Sequence, residues 1–399
     1  MVSVNLLYLS PWFPFPPTNG SELRINALLR GLAAVHDVTL ISFRRRPVDE
    51  AHLKEACRLL REVHLIPWRE FNPGSARARL GFFSSKPRSV IDTYSDEMAT
   101  AIRKQVVANQ FDVIVASELV PAAYHAEFAS IPALIDDLEL GVYAQAVAES
   151  ESIAQHTRRR LMWAKQRAYV RDLLPRFAAC TVVSERERAL LREVAPDYDP
   201  VEVIPNCINL ADYRDIHPPK EPATLIFTGA FTYGVNYDAM VWFLGEIYPL
   251  VQRVVPDVRL VITGNHAGKP LPPAENVTLT GYIDDVKTPV AAAAVSLVPI
   301  RQGGGTRLKI LEAMALGTPV VSTTKGAEGL EVTAGEHLLL ADTPEEFAAA
   351  VVRLLKSPAL RQNLVNNACH LVQQQYDWAT AMPRFLALVD RVAGPRPQR

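Results

Sequence analysis

The sequence predicts an α/β protein of two doubly wound domains. Strand-like apolar runs alternate with helical patterns in both halves of the chain. A polar, proline-rich interval at residues 212–222 interrupts that alternation. The 399 residues suffice for two separate cores. Bulk properties narrow the function classes. The formal net charge of −1 argues against a general nucleic-acid binder. Cys57, Cys180, Cys207 and Cys369 are far apart and make no metal-type spacing, so a reduced, cytoplasmic protein is expected. No apolar run approaches the roughly 18 residues of a membrane span. The N-terminus lacks a basic leader and breaks at Pro11, so no signal peptide is expected.

In the first half, residues 2–9 read as a strand, followed by prolines 11, 14, 16 and 17 and then Asn19-Gly20-Ser21. Ser21 is a candidate cap for a helix reaching about Ala34, with Leu28, Leu29 and Leu32 inward. Residues 38–43 are the next strand, which completes a βαβ unit. Gly20 sits at the turn into the helix, where backbone approaches a ligand at the carboxyl edge of the strands. A helix at 53–62 and a strand at 63–66 follow. Residues 69–88 are irregular, basic and aromatic, with Arg77, Arg79, Phe82 and Phe83. Strands at 111–116 and 133–135 end in Ser117-Glu118 and in Asp136-Asp137-Leu138-Glu139. A carboxylate there either accepts an acceptor's proton or caps the next helix. Residues 152–177 form a long basic helix, whose charged face is either solvated or turned to an anionic surface. Strands at 181–184 and 201–204 close the half, with Ser184 capping a helix between them.

The second half opens with a strand at 224–228 that ends at Gly229. A helix at 238–251, a strand at 258–263 ending at Gly264, and a strand at 276–280 before Gly281-Tyr282-Ile283 come next. Gly264 to Lys269 is one residue short of a P-loop. Helices at 344–355, 358–374 and 377–392 end the chain, and the tail after Ala393 looks frayed.

The most informative stretch is residues 299–322. Gly303, Gly304 and Gly305 form a loop free of side chains, Thr306 is a candidate N-cap, and Leu308, Leu311 and Ala315 recur at helical spacing. Gly317 and Pro319 stop the helix. A glycine loop that opens a helix is an anion site, because free N–H groups and the helix dipole point the same way. Arg307 and Lys309 add positive charge, and Glu312 is placed to accept two bonds from a hydroxyl pair such as a ribose offers. The chemistry suggested is a sugar-linked diphosphate. A flexible loop with a Lys309–Glu312 surface pair reads equally well from spacing alone.

This stretch resembles the donor-binding segment of retaining glycosyltransferases of the family 4 type, which have the GT-B fold. The family usually carries a Glu-x7-Glu pattern. Here Glu312 matches the second glutamate and Gly304 stands at the first, as in a subset with a Gly-Gly-Gly-Thr-Arg-Leu-Lys run. The resemblance implies two Rossmann-like domains facing a cleft: an acceptor-side domain at 1–210, a donor domain at 223–375, and a helix at 376–393 crossing back. It implies retaining transfer from a nucleoside diphosphate sugar without metal or other cofactor. Glu312 would hold the ribose. Gly20, Gly229, Gly264 and the 303–306 backbone would line the donor, and Tyr282 and Ile283 would meet the base. Lys325–Gly329 matches a family loop near the phosphates and sugar. The family's Arg and Lys near Gly229 are missing, which assigns the phosphate charge to Arg307 or Lys309. Asp136, Asp137 and Glu139 stand where the family often has a histidine, and Asp136 is the candidate proton acceptor. The acceptor is a saccharide, a lipid-linked molecule or another small molecule, and the basic stretches leave peripheral contact with the inner face of a membrane open. An epimerase or hydrolase on the same fold, or a non-catalytic nucleotide-sugar binder, are the alternatives.

Overall fold

A computed structural model describes residues 3–148, 150 and 152–395. Val2, at the head of the first expected strand, and residues 396–399 of the expected frayed tail lie outside the described residues. The chain divides into two compact units, one of residues 1–205 and 382–399 and the other of residues 206–381. The expected linker at 212–222 therefore belongs to the second unit, and Tyr213 within it is buried.

The first unit holds a seven-stranded sheet of order β3-β2-β1-β4-β5-β6-β7. Its strands are β1 Asn5–Ser10, β2 Asp37–Arg44, β3 Glu62–Pro67, β4 Val113–Ser117, β5 Ala133–Asp136, β6 Ala179–Val182 and β7 Val201–Val203. Every pairing is parallel. Helices cover both faces of such a sheet, so its central strands are continuous apolar runs. Four residues of β1 and all of β4 except Ser117 are buried and hydrophobic. The helix Gly20–Ala33 follows β1, and its cap is Asn19, whose side chain accepts from the Glu22 amide. That replaces the expected Ser21 cap, since the helix starts two residues earlier. Residues 382–395 also belong to this unit, where Arg384 donates to the Val203 carbonyl at 2.8 Å.

The second unit has a six-stranded parallel sheet of order β10-β9-β8-β11-β12-β13. Its strands are β8 Glu221–Thr228, β9 Arg259–Thr263, β10 Val277–Gly281, β11 Ala293–Val298, β12 Val320–Ser322 and β13 Leu339–Leu340. In each sheet the winding reverses once, between β1 and β4 and between β8 and β11. Ligands of open α/β sheets bind at the carboxyl ends beside such a reversal. In the first unit these ends lead into residues 11–20 and Glu118. In the second they lead into Gly229 and the 299–307 loop. Among the described residues, no helix is long and apolar enough to cross a membrane.

Candidate functional site

In the second unit, the carboxyl ends of β8 and β11 bring together most of the residues expected to bind a donor. The loop after β11 turns on Gly303 at φ 83° and Gly305 at φ 87°, conformations that favour glycine. A methyl on Gly303 would lie 2.9 Å from the Tyr233 hydroxyl, so the loop packs on residues 233–235. Among the described residues, no protein acceptor takes the amides of Gly303 to Arg307. Five consecutive N–H groups are thus available to an anion.

The helix begins at Leu308, with Arg307 as its uncapped N-cap residue. The expected cap by Thr306 is not made; its hydroxyl accepts from Asn206 at 3.4 Å. Arg307 also departs from expectation. Its guanidinium folds back on its own loop, donating to Gly304 O at 2.6 Å and Gly303 O at 2.8 Å. It braces the glycine turn and contributes charge from behind it. Gly317, at φ 66°, ends the helix as expected.

Lys309 is the cation that reaches the strand ends. Its ammonium donates to Asn236 Oδ1 at 3.1 Å and lies 4.4 Å from the centre of the Phe227 ring. Burial and then Arg307 lower its pKa to about 7, against the opposing pull of Glu312. A side chain on Gly229 would come within 2.9 Å of Lys309 Nζ, so glycine there lets the ammonium lie against the backbone. Gly264 has a related role. At φ 113°, its missing methyl would stand 2.7 Å from the carbonyl carbon of Gly229. Gly264→Ala is therefore expected to destabilise the second unit by roughly 1–3 kcal/mol, through strain and the backbone clash. A urea denaturation midpoint indistinguishable from the parent protein would refute this.

Glu312 lies on the same helix and accepts from Tyr213 Oη at 3.4 Å. Burial raises its pKa, opposed by Lys309 and Tyr213. The Lys287 ammonium lies 4.5 Å from the centre of the Tyr213 ring. Tyr213 and Lys287 were not singled out from sequence; only the fold brings them to the site. Tyr282 is 78% exposed just beyond β10, with Ile283 half-buried beside it, and the Gly264 amide donates to Gly281 O at 2.8 Å. Lys325 and Glu328 form an ion pair after β12.

In the first unit, the structure corrects the role expected of Asp136. Its carboxylate is fully buried and accepts from Arg24 Nη2 at 2.7 Å, Arg24 Nε at 3.1 Å and Thr181 Oγ1 at 2.7 Å. A carboxylate so saturated and shielded is a structural anion, not an acceptor for a substrate's proton. Arg24 is itself buried and also donates to Ile204 O at 2.8 Å. Gly20 is exposed at the first position of its helix.

The next residue along, Asp137, does reach open space. Asp137 at φ 60° and Glu118 at φ 64° are both held in left-handed backbone. With Glu139, Trp12 and Tyr143 they line a cavity of about 240 Å³. Burial raises the pKa of Asp137 to about 6, with Arg24 opposing. Burial and then Asp137 raise Glu118 to about 8. Arg45 opposes that shift. Its guanidinium lies 3.7 Å from the Trp12 ring centre and 3.9 Å from that of Trp68. Among the described residues, no cluster of three His, Cys, Asp or Glu side chains is placed to hold a metal ion.

Comparison with known proteins bears on the fold. The family described as Glycosyltransferase Family 4 matches residues 18–212, and that described as Glycosyl transferases group 1 matches residues 222–357. The chain is 26% identical over 316 residues to a phosphatidyl-myo-inositol mannosyltransferase of Mycobacterium leprae, covering 75% of this chain and 79% of that one. It is 27% identical over 177 residues to an uncharacterised 44.6 kDa protein of the cps region of Klebsiella pneumoniae, covering 42% of this chain and 45% of that one. Among solved structures, sucrose-phosphate synthase from Thermosynechococcus elongatus is similar with a TM-score of 0.66 at 20% identity, covering 96% of this chain and 98% of that one. HepE from Anabaena, solved with UDP and glucose, is similar with a TM-score of 0.62 at 13% identity, again covering 96% and 98%.

Proposed function

The chain has the GT-B fold and is built from a family 4 and a group 1 glycosyltransferase domain, and we propose that it moves a sugar from a nucleoside diphosphate sugar to a hydroxyl acceptor with retention. The observation that carries this reading is the convergence, at the carboxyl ends of β8 and β11, of the open amides of 303–307 with the Lys309 ammonium. Negative charge grows on the leaving diphosphate as the anomeric C–O bond breaks. Oriented amides and one ammonium, in place before reaction, stabilise that charge without reorganising. The same groups take the role a metal ion has in other transferases, so turnover is expected to survive chelation. The acceptor oxygen bonds to the anomeric carbon on the face the diphosphate leaves, and its proton passes to a leaving phosphate oxygen.

Glu312 accepts from the ribose hydroxyls, with Tyr213 and Lys287 holding it in place. Tyr282 and Ile283 face the base. Gly229, Gly264 and the 303–305 turn keep side chains away from the diphosphate. HepE, solved with UDP and glucose, supports a uridine nucleotide as the first donor to test. On the acceptor side, the cavity lined by Glu118, Asp137 and Trp12 suits a polyhydroxylated ligand, since the Asp137 carboxylate accepts from hydroxyls, the protonated Glu118 carboxyl can donate to them, and a ring face stacks on a sugar. The Mycobacterium leprae relative, a phosphatidyl-myo-inositol mannosyltransferase, supports a lipid-linked or saccharide acceptor.

The test is calorimetry with nucleoside diphosphates, followed by acceptor-dependent nucleotide release. Glu312→Ala is expected to weaken nucleoside diphosphate binding by roughly tenfold or more, as charge-assisted hydrogen bonds contribute about 1.5–3 kcal/mol. Unchanged affinity in that variant removes the ribose role. Binding without release in the presence of any acceptor removes the transferase reading.

A further inference from the structure

We propose that the cavity of the first unit takes a cationic acceptor, a saccharide whose protonated amine is met by the carboxylates of Glu118 and Asp137. The proposal rests on the reading of that cavity as the acceptor site and narrows its ligand from a polyol to an amino sugar. Glu118, Asp137 and Glu139 line the cavity, and among the described residues none of its lining side chains is Lys, Arg or His. Two cations act on these carboxylates from outside the lining, and each is engaged elsewhere. Arg24 Nε is 4.0 Å from Asp137, but its guanidinium is committed to Asp136 at 2.7 Å and 3.1 Å. Arg45 is stacked between Trp12 and Trp68 and donates to Pro11 O at 3.1 Å.

Like charges crowded in one cavity favour the neutral form of each group. Burial and then Asp137 hold Glu118 up at about 8, against Arg45 and with Glu139 adding to the rise. Burial holds Asp137 up at about 6 against the pull of Arg24, with Asp136 and Glu187 adding to the rise. A neutral hydroxyl relieves none of this. An ammonium supplies the missing charge, donates up to three hydrogen bonds, and lets Glu118 release its proton to solvent. A bare metal ion is the other cation to weigh. It needs several oxygen ligands at about 2.0–2.6 Å around one point, and among the described residues no three acidic, His or Cys side chains are so placed. The cavity, of about 240 Å³, lies below the roughly 300–1,000 Å³ of drug-sized ligands and suits a single sugar ring. Trp12 and Tyr143, the latter 40% exposed, add aromatic rings, which attract an organic cation as well as the apolar face of a sugar.

The test is calorimetry of the full chain at neutral pH with methyl glucosaminide and methyl glucoside, which differ by an ammonium in place of one hydroxyl. The glucosaminide is expected to bind about tenfold more tightly or better, as for hydrogen bonds between charged groups, and its advantage should shrink as salt rises. Asp137→Asn and Glu118→Gln should each cut that advantage severalfold. The ratio of the two affinities is read within each variant, so a variant that is merely less stable lowers both and leaves the ratio. Equal binding of the two sugars to the parent protein overturns the proposal and leaves the cavity as a site for neutral acceptors. Binding of neither overturns the proposal and removes the acceptor reading of the cavity with it. A preference that survives both substitutions places the ammonium elsewhere and overturns the proposal too.

Discussion

Lys309→Ala is expected to lower kcat by roughly a hundred- to a thousandfold, equivalent to about 2.7–4 kcal/mol of barrier, as for loss of a single oxyanion contact. The side chain lies at the carboxyl end of β8, held by Asn236 and admitted by the bare backbone of Gly229. Its lowered pKa adds a second, sharper signature. Burial and Arg307 bring that pKa to about 7, so the ammonium and its neutral form are comparably populated at neutral pH without ligand. A bound diphosphate favours the charged form and raises the pKa again. Below about pH 7 Lys309 is already protonated, and diphosphate affinity is flat with pH. Above it, binding must take up a proton, and affinity falls by up to about tenfold per pH unit until the bound-state pKa is passed. Calorimetry in buffers of differing ionisation enthalpy measures that uptake directly. Lys309→Arg should abolish the pH dependence, because a guanidinium stays charged throughout. A pH-independent affinity in the parent protein, with near-normal turnover in the alanine variant, would remove Lys309 from the reaction.

The second large effect concerns stability. Asp136→Asn and Arg24→Met should each destabilise the first unit by about 3–5 kcal/mol, because each leaves its partner as an uncompensated buried charge. Arg24 also ties β5 to the end of the unit through Ile204 O, so its loss frees more than one contact. Replacing both residues with apolar ones should recover part of the loss, since the desolvation cost disappears along with the attraction. Urea denaturation reads the midpoint of the first unit. Nucleoside diphosphate affinity, a property of residues in the second unit, should be unchanged under native conditions. A catalytic Asp136 would behave differently: Asp136→Asn would fold normally and lose turnover alone.

These two cases show how unevenly the candidate site could be read in advance. The glycine turn before Leu308 was legible because its demands are local. Left-handed backbone at Gly303 and Gly305, a stop at Gly317 and amphipathic spacing between them are all conditions on neighbouring residues. Lys309 and Glu312 follow from the same few positions. The doubly wound sheets were legible for a similar reason, since buried parallel strands are apolar runs bounded by turn residues. Element edges shifted where capping chemistry decides them, as at Asn19 and at the uncapped Arg307.

Asp136 and Asp137 looked alike as text. Successive residues at a strand end point to opposite sides, so one carboxylate enters the core and the other an open cavity. Choosing between them required Arg24, 112 residues away in the chain. Tyr213 looked like part of a linker and is a partner of Glu312, 99 residues on. Local patterning thus decided which segments become strands, turns and helices, because backbone geometry is set by near neighbours. Which carboxylate is shielded, which lysine loses its proton and which arginine braces a loop was left to packing. Burial and charge pairing depend on groups that only the folded chain brings within a few ångströms.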